Sequence, residues 1–133
     1  MSMKGIRRVV CYALDAAAAD HYYPSATGAP LDHGERMSVQ LNLADTKVTI
    51  EGCIEDPLDS AGITPTWVDI TKAGYKMSAD ASGSASFDAT GTTISEIVDF
   101  GRHGPMPVRA WRIKSIPPNA SSILRATVLI RGS

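Results

Sequence analysis

The chain has 133 residues, the size of one ordinary domain, so a single hydrophobic core is expected. Thirteen Lys and Arg against fourteen Asp and Glu leave a net charge of −1 and a pI near 6.3. That balance argues against a general nucleic-acid binder, whose phosphate contacts need a basic excess. The total hides an uneven distribution. From Gly101 onward there are six basic residues and no acid, whereas residues 45–99 hold ten acids against Lys47, Lys72 and Lys76.

In chain order, Ile6–Leu14 is the first apolar strand, with Val9, Cys11 and Ala13 on one face. Its uncharged run from Val9 is shorter than the ~7–15-residue core of a secretion signal, and no stretch approaches the ~20 apolar residues of a membrane helix. Neither a cleaved leader nor a membrane partner is expected. Asp15 to Tyr23 is expected to form at most one short helical turn, capped by Asp15 and stopped at Pro24. Pro24 to Gly34 is a long loop of turn-forming residues. Arg36–Leu43 and Thr46–Cys53 alternate apolar and polar positions, and the tight Ala44-Asp45 connection predicts a hairpin between them.

Glu55–Pro65 is a loop, and Trp67–Thr71 a strand with Val68 and Ile70 on one side. Ser78–Ser86 is a flexible loop or a weak edge strand, and Thr92–Phe100 a further strand. Val108–Ile116 turns Arg109, Trp111 and Ile113 one way and Val108, Ala110, Arg112 and Lys114 the other. After a Pro117-Pro118-Asn119 turn, Ile123–Arg131 alternates Leu124, Ala126, Val128 and Ile130 with Arg125, Thr127, Leu129 and Arg131. Seven or eight short strands with turn-rich loops define an all-β class. The expectation is one β-sandwich domain over residues 1–133, of jelly-roll or related Greek-key order, in which residues 1–36 supply the first strand and a long loop or arm.

Little in the sequence points to catalysis. His33 and Glu35 have the spacing H-x-E, but a metal needs three or four converging ligands, and His21 and His103 lie in separate turn regions. Two cysteines, Cys11 and Cys53, are too few for a disulfide framework. They read as buried thiols, with a cross-strand disulfide as the alternative. There is no Gly-x-Ser-x-Gly elbow and no phosphate-cradling glycine loop, and Asp56 and Asp59 share one acidic loop. No enzyme activity, metal or cofactor is expected.

The basic and aromatic residues offer more. Arg112 with Lys114, and Arg125 with Arg131, face outward on the last two strands. The plain reading is solubilising charge that also guards sheet edges. The functional one, which includes Arg109, is a basic face that meets an acidic partner, such as residues 45–99 of a second copy. Trp111 alternates with Ile113 and reads as core. Tyr22 and Tyr23 are adjacent and cannot both face the same core, so one is a candidate interface anchor.

The run Thr46 to Asp56 (TKVTIEGCIED), then Thr66 to Thr71 (TWVDIT), Phe100-Gly101-Arg102, Val108 to Lys114 (VRAWRIK) and Leu124 to Gly132 (LRATVLIRG) resembles a layout found in small β-sandwich virion proteins of tailed bacteriophages. The likeness covers about residues 37–132. It implies a non-enzymatic capsid decoration (cement) or minor capsid protein, located in the virion, that forms homo-oligomers and contacts the major capsid protein or another virion protein. Similar sandwiches also serve as carbohydrate-binding modules. The alternative expectation is therefore a glycan-binding module of a phage tail or surface adhesin, with Trp67 and Asp69, or Tyr22 and Tyr23, as the contacts.

Overall fold

A computed structural model describes residues 6–14, 21–32, 34–55, 64–77, 87–101, 104, 107–116 and 122–132. Eleven strands lie among them: β1 (Ile6–Leu14), β2 (His21–Tyr23), β3 (Ala29–Pro30), β4 (Arg36–Ala44), β5 (Lys47–Cys53), β6 (Val68–Asp69), β7 (Tyr75–Lys76), β8 (Phe87–Asp88), β9 (Thr93–Asp99), β10 (Ala110–Ile116) and β11 (Ile123–Arg131). The one helical segment among the described residues is a 3-10 turn, Thr71–Ala73. The first sheet has the order β1-β11-β4-β9-β7. The second runs β2-β10-β5-β6, with β3 also on β10 and β8 also on β5. All pairings are antiparallel.

Period-two patterning explains the long strands, because each buries one face and leaves the other in water. In β11, Leu124, Ala126, Val128 and Ile130 are buried. In β4, Met37, Val39, Leu41 and Leu43 are. The second sheet answers with Val48 and Ile50 of β5 and Trp111 and Ile113 of β10, and one hydrophobic cluster joins the two inner faces. The chain is thus an all-β sandwich of Greek-key-type connectivity, in which β4 and β5, β9 and β10, and β10 and β11 lie in different sheets.

Three expectations are corrected. The strand count exceeds eight, because β2, β3, β6, β7 and β8 are two- or three-residue pairings, too short to show a period. No hairpin joins β4 to β5. Both edges of β4 are filled, by β11 and β9, so Asp45 carries the chain across to the other sheet at φ 52. Its carboxylate accepts the Gly91 N–H at 2.8 Å and its own N–H donates to Thr92 O at 3.0 Å, holding this crossover against the β8–β9 turn. Finally, His21–Tyr23 is a strand on β10 and not the end of a helical turn. Asp15–Asp20, Ser78–Ser86 and the Pro117-Pro118-Asn119 turn lie outside the described residues.

The outer edge of β5 is completed piecewise. β6 covers Glu51 and Gly52, and β8 covers Lys47 and Val48. Between them the Thr71 hydroxyl accepts the Ile50 N–H at 2.9 Å, while Ile70 N–H donates to Ile50 O at 2.8 Å. Thr71 is fully buried, and its hydroxyl stands in for a strand at the point where β6 ends.

Candidate functional site

The outer face of the second sheet gathers the polar and aromatic residues that the sequence placed far apart. Register sets Arg112 of β10 opposite Glu51 of β5, and Glu51 opposite Asp69 of β6. A charged row therefore crosses three strands. Arg112 Nε donates to Glu51 Oε1 at 2.7 Å, with both side chains about one-eighth exposed (12% and 13%). Its Nη1 donates to Ala26 O at 2.6 Å. Two like charges directly opposite each other, Glu51 and Asp69, cost stability unless compensated, and Arg112 supplies the compensation on the far side of Glu51. Asp69 in turn accepts the Thr71 N–H at 2.9 Å.

Aromatic rings close over the guanidinium from two directions. The Arg112 Cζ lies 4.0 Å from the Tyr22 ring centroid and 4.3 Å from that of Trp67. A planar guanidinium stacks on both rings while its in-plane N–H groups serve Glu51 and Ala26. Beside the stack is an open depression of about 500 Å³, walled by Ala26, Thr27, Glu51, Thr64, Pro65 and Trp67. Gly28 makes the stack possible. It adopts φ +73, and the space where a Cβ would stand is filled by Trp67 Cη2.

The predicted site residues thus divide. Tyr22, Arg112, Trp67 and Asp69 come together on one face, although the sequence distributed them between an interface and a sugar contact. Tyr23, the neighbour of Tyr22, packs against the hydrophobic core, which settles the opposed pointing expected of the pair. Lys114 lies on the same strand as Arg112, opposite Tyr22. Arg109 sits at a bend just before β10 and is exposed, not on the buried Trp111 side where alternation put it. Trp111 is fully buried, as expected. Glu51 lies on the outward face of β5, between buried Ile50 and Gly52. Its role as the partner of Arg112 spans 61 residues and appears only through register.

Arg125 and Arg131 belong to the other sheet, so the last two strands do not form one basic face. Their outer face instead carries Arg8 of β1 and Arg36 of β4 beside them, all four exposed. Arg131 lies directly opposite Arg36. A second depression of about 450 Å³ opens there between Arg8, Ser38, Gln40, Ile97, Thr127 and Leu129.

The H-x-E pair takes another course. Glu35 is buried, its carboxylate accepts from the Arg7 guanidinium, and its Oε1 accepts the Asp32 N–H at 2.6 Å. Arg7 also donates to Pro30 O at 2.9 Å, so this cluster ties β1 to the 30–35 loop. His33 lies outside the described residues, and among those described no group of three or more His, Cys, Asp or Glu could hold a metal. Cys53 is buried, and its thiol donates to Glu55 O. The side chain of Cys11 lies outside the description.

Set against known proteins, the chain matches no family model, no curated relative and no solved structure.

Proposed function

We propose that the chain is a non-enzymatic structural protein of a tailed-phage virion, of the capsid decoration or minor capsid type, which acts by packing against copies of itself and the shell. The observation that carries this reading is the edge of the first sheet. β1 pairs with β11 at all nine of its positions and has no partner strand on its other side among the described residues. Long edge strands are liabilities that proteins cover, shorten or charge along their length. Here the charges Arg7 and Arg8 sit at one end, and Val9 to Leu14 carry none.

An antiparallel pairing of two β1 strands centred on Val10 places Arg8 opposite Tyr12 of the second copy. It keeps the arginines of the two copies apart, and such a two-fold contact closes on itself. The neighbouring outer face, with Arg8, Arg36, Arg125 and Arg131 around exposed Ile97, supplies a basic surface for an acidic partner. The sequence likeness over residues 37–132 points the same way.

Light scattering on the eluted protein, followed by co-sedimentation with mature capsids of the encoding phage, tests the proposal. Dimers or larger closed oligomers, and salt-sensitive capsid binding, are expected. A strict monomer that leaves capsids bare overturns it.

A further inference from the structure

We propose that the depression beside Trp67 is a binding subsite for one or two neutral sugar rings, on the face of the sandwich opposite the basic one. At about 500 Å³ it falls within the ~300–1,000 Å³ of small-molecule sites and exceeds what a single solvent molecule fills. Its walls pair Trp67 and Pro65 with the hydroxyl-bearing Thr27 and Thr64, and with Glu51 and Arg112. A pyranose presents that same mixture, an apolar C–H surface bordered by hydroxyls that both donate and accept.

Charge narrows the ligand class. Arg112 is already matched by Glu51 at 2.7 Å and stacked by two rings, so it presents no uncompensated positive charge. Asp69, exposed and next to Glu51 in register, adds a second carboxylate to the same strand row, outside the residues that line the depression. An anionic sugar would meet the Glu51 carboxylate in the wall, whereas a neutral one can donate hydroxyl hydrogens to it.

The site is also built before any ligand arrives. Four contacts hold Arg112, and Gly28 and Arg112 hold Trp67, so binding immobilises few protein side chains. The inference does not depend on the virion reading, because it uses none of the β1 edge or the first sheet's outer face.

A printed array of neutral and acidic oligosaccharides, with calorimetry on the neutral oligosaccharides that score, tests the inference on the intact chain. Neutral oligosaccharides are expected to bind saturably. Trp67→Ala and Glu51→Gln should each weaken binding by about tenfold or more, while Arg125→Ala on the opposite sheet changes it less than about twofold. Trp67→Phe, which keeps a ring over Arg112, guards against loss of fold in Trp67→Ala and should retain intermediate affinity. The inference falls if no neutral glycan binds at about 10 mM, a Kd range that would leave only a few kcal/mol. It also falls if Trp67→Ala binds as the parent does, or if uronic and sialic acids bind better than neutral sugars. The oligomeric state, read on the same samples, reports separately on the assembly proposal.

Discussion

Gly28 lies so close to Trp67 that a Cβ on the glycine would come within 2.6 Å of the indole Cη2. The same Cβ would stand 2.5 Å from Trp111 O, a backbone atom of the central strand β10 that cannot easily yield. At φ +73 the position also disfavours any side chain. Gly28→Ala is expected to cost about 1–3 kcal/mol and to lift Trp67 off Arg112. Thermal unfolding reads the cost. Acrylamide quenching reads the displacement, since Trp111 is fully buried and Trp67 accounts for the accessible emission. Unchanged melting and unchanged quenching would show that the loop absorbs the methyl group.

Arg112 holds four partners, so its conservative replacement is not conservative. Lys has neither the plane that stacks between Tyr22 and Trp67 nor the fork that serves Glu51 and Ala26 together. Arg112→Ala should cost about 3 kcal/mol, because it leaves Glu51 nearly buried without its counter-charge and beside Asp69. Arg112→Lys should recover less than half of that. A double-mutant cycle with Glu51→Ala isolates the pair, and a coupling near zero would show that the stacked rings alone hold the arginine.

Much of the sandwich is legible in the sequence, and the reason is visible in β11 and β4. Each is nine residues long with one face wholly buried, so apolar and polar residues must alternate, and the strands lie within a residue of where the pattern ends. Pairing is a different matter. Thr46–Cys53 reads as a strand, but nothing local says that it joins β10 and not β4, because that choice is made by β11 and β9 filling β4 from both sides. The short pairings escape for the same reason: Ala29-Pro30 is a strand only because Ala110 and Trp111 lie beside it. At the site, the residue types were readable and their convergence was not. Tyr22, Glu51, Trp67 and Arg112 come from four segments that only register brings together. The one local clue, the opposite parity of Tyr22 and Tyr23, becomes decisive once His21–Tyr23 is known to be a strand.

Asp88 provides a pH-dependent check on the turn that supports the Asp45 crossover. Its carboxylate accepts from the Thr90 hydroxyl at 2.6 Å and the Thr90 N–H at 3.0 Å. These bonds, the hydroxyl first, and more weakly Lys47, hold its pKa below the ordinary 3.8. A carboxyl depressed in the folded state stabilises the fold above its unfolded pKa, and that contribution is lost as the pH falls from 3.8 through the lower folded value. Thr90→Val removes the hydroxyl and keeps the N–H, so the Asp88 titration should move upward toward 3.8. Carboxyl carbon NMR follows it directly. A titration that does not move would assign the depression to the backbone bond and Lys47.

Trp111 separates packing from hydrogen bonding in the centre of the core. It is fully buried, packed between the two sheets, yet its Nε1 has no hydrogen-bond partner among the described residues. A buried donor left unmade costs roughly 1–3 kcal/mol, a penalty that the indole carries in the native state. Trp111→Phe removes the donor along with part of the ring volume, so the cavity it opens is offset by relief of that penalty. Its net cost should stay within about 1–2 kcal/mol, whereas Trp111→Ala, which forfeits the packing as well, should cost about 3–5 kcal/mol. Urea unfolding of the two variants decides the matter through the gap between them. If Phe proved as damaging as Ala, the indole N–H would be making a bond in solution, and the core would hold a polar partner at that point.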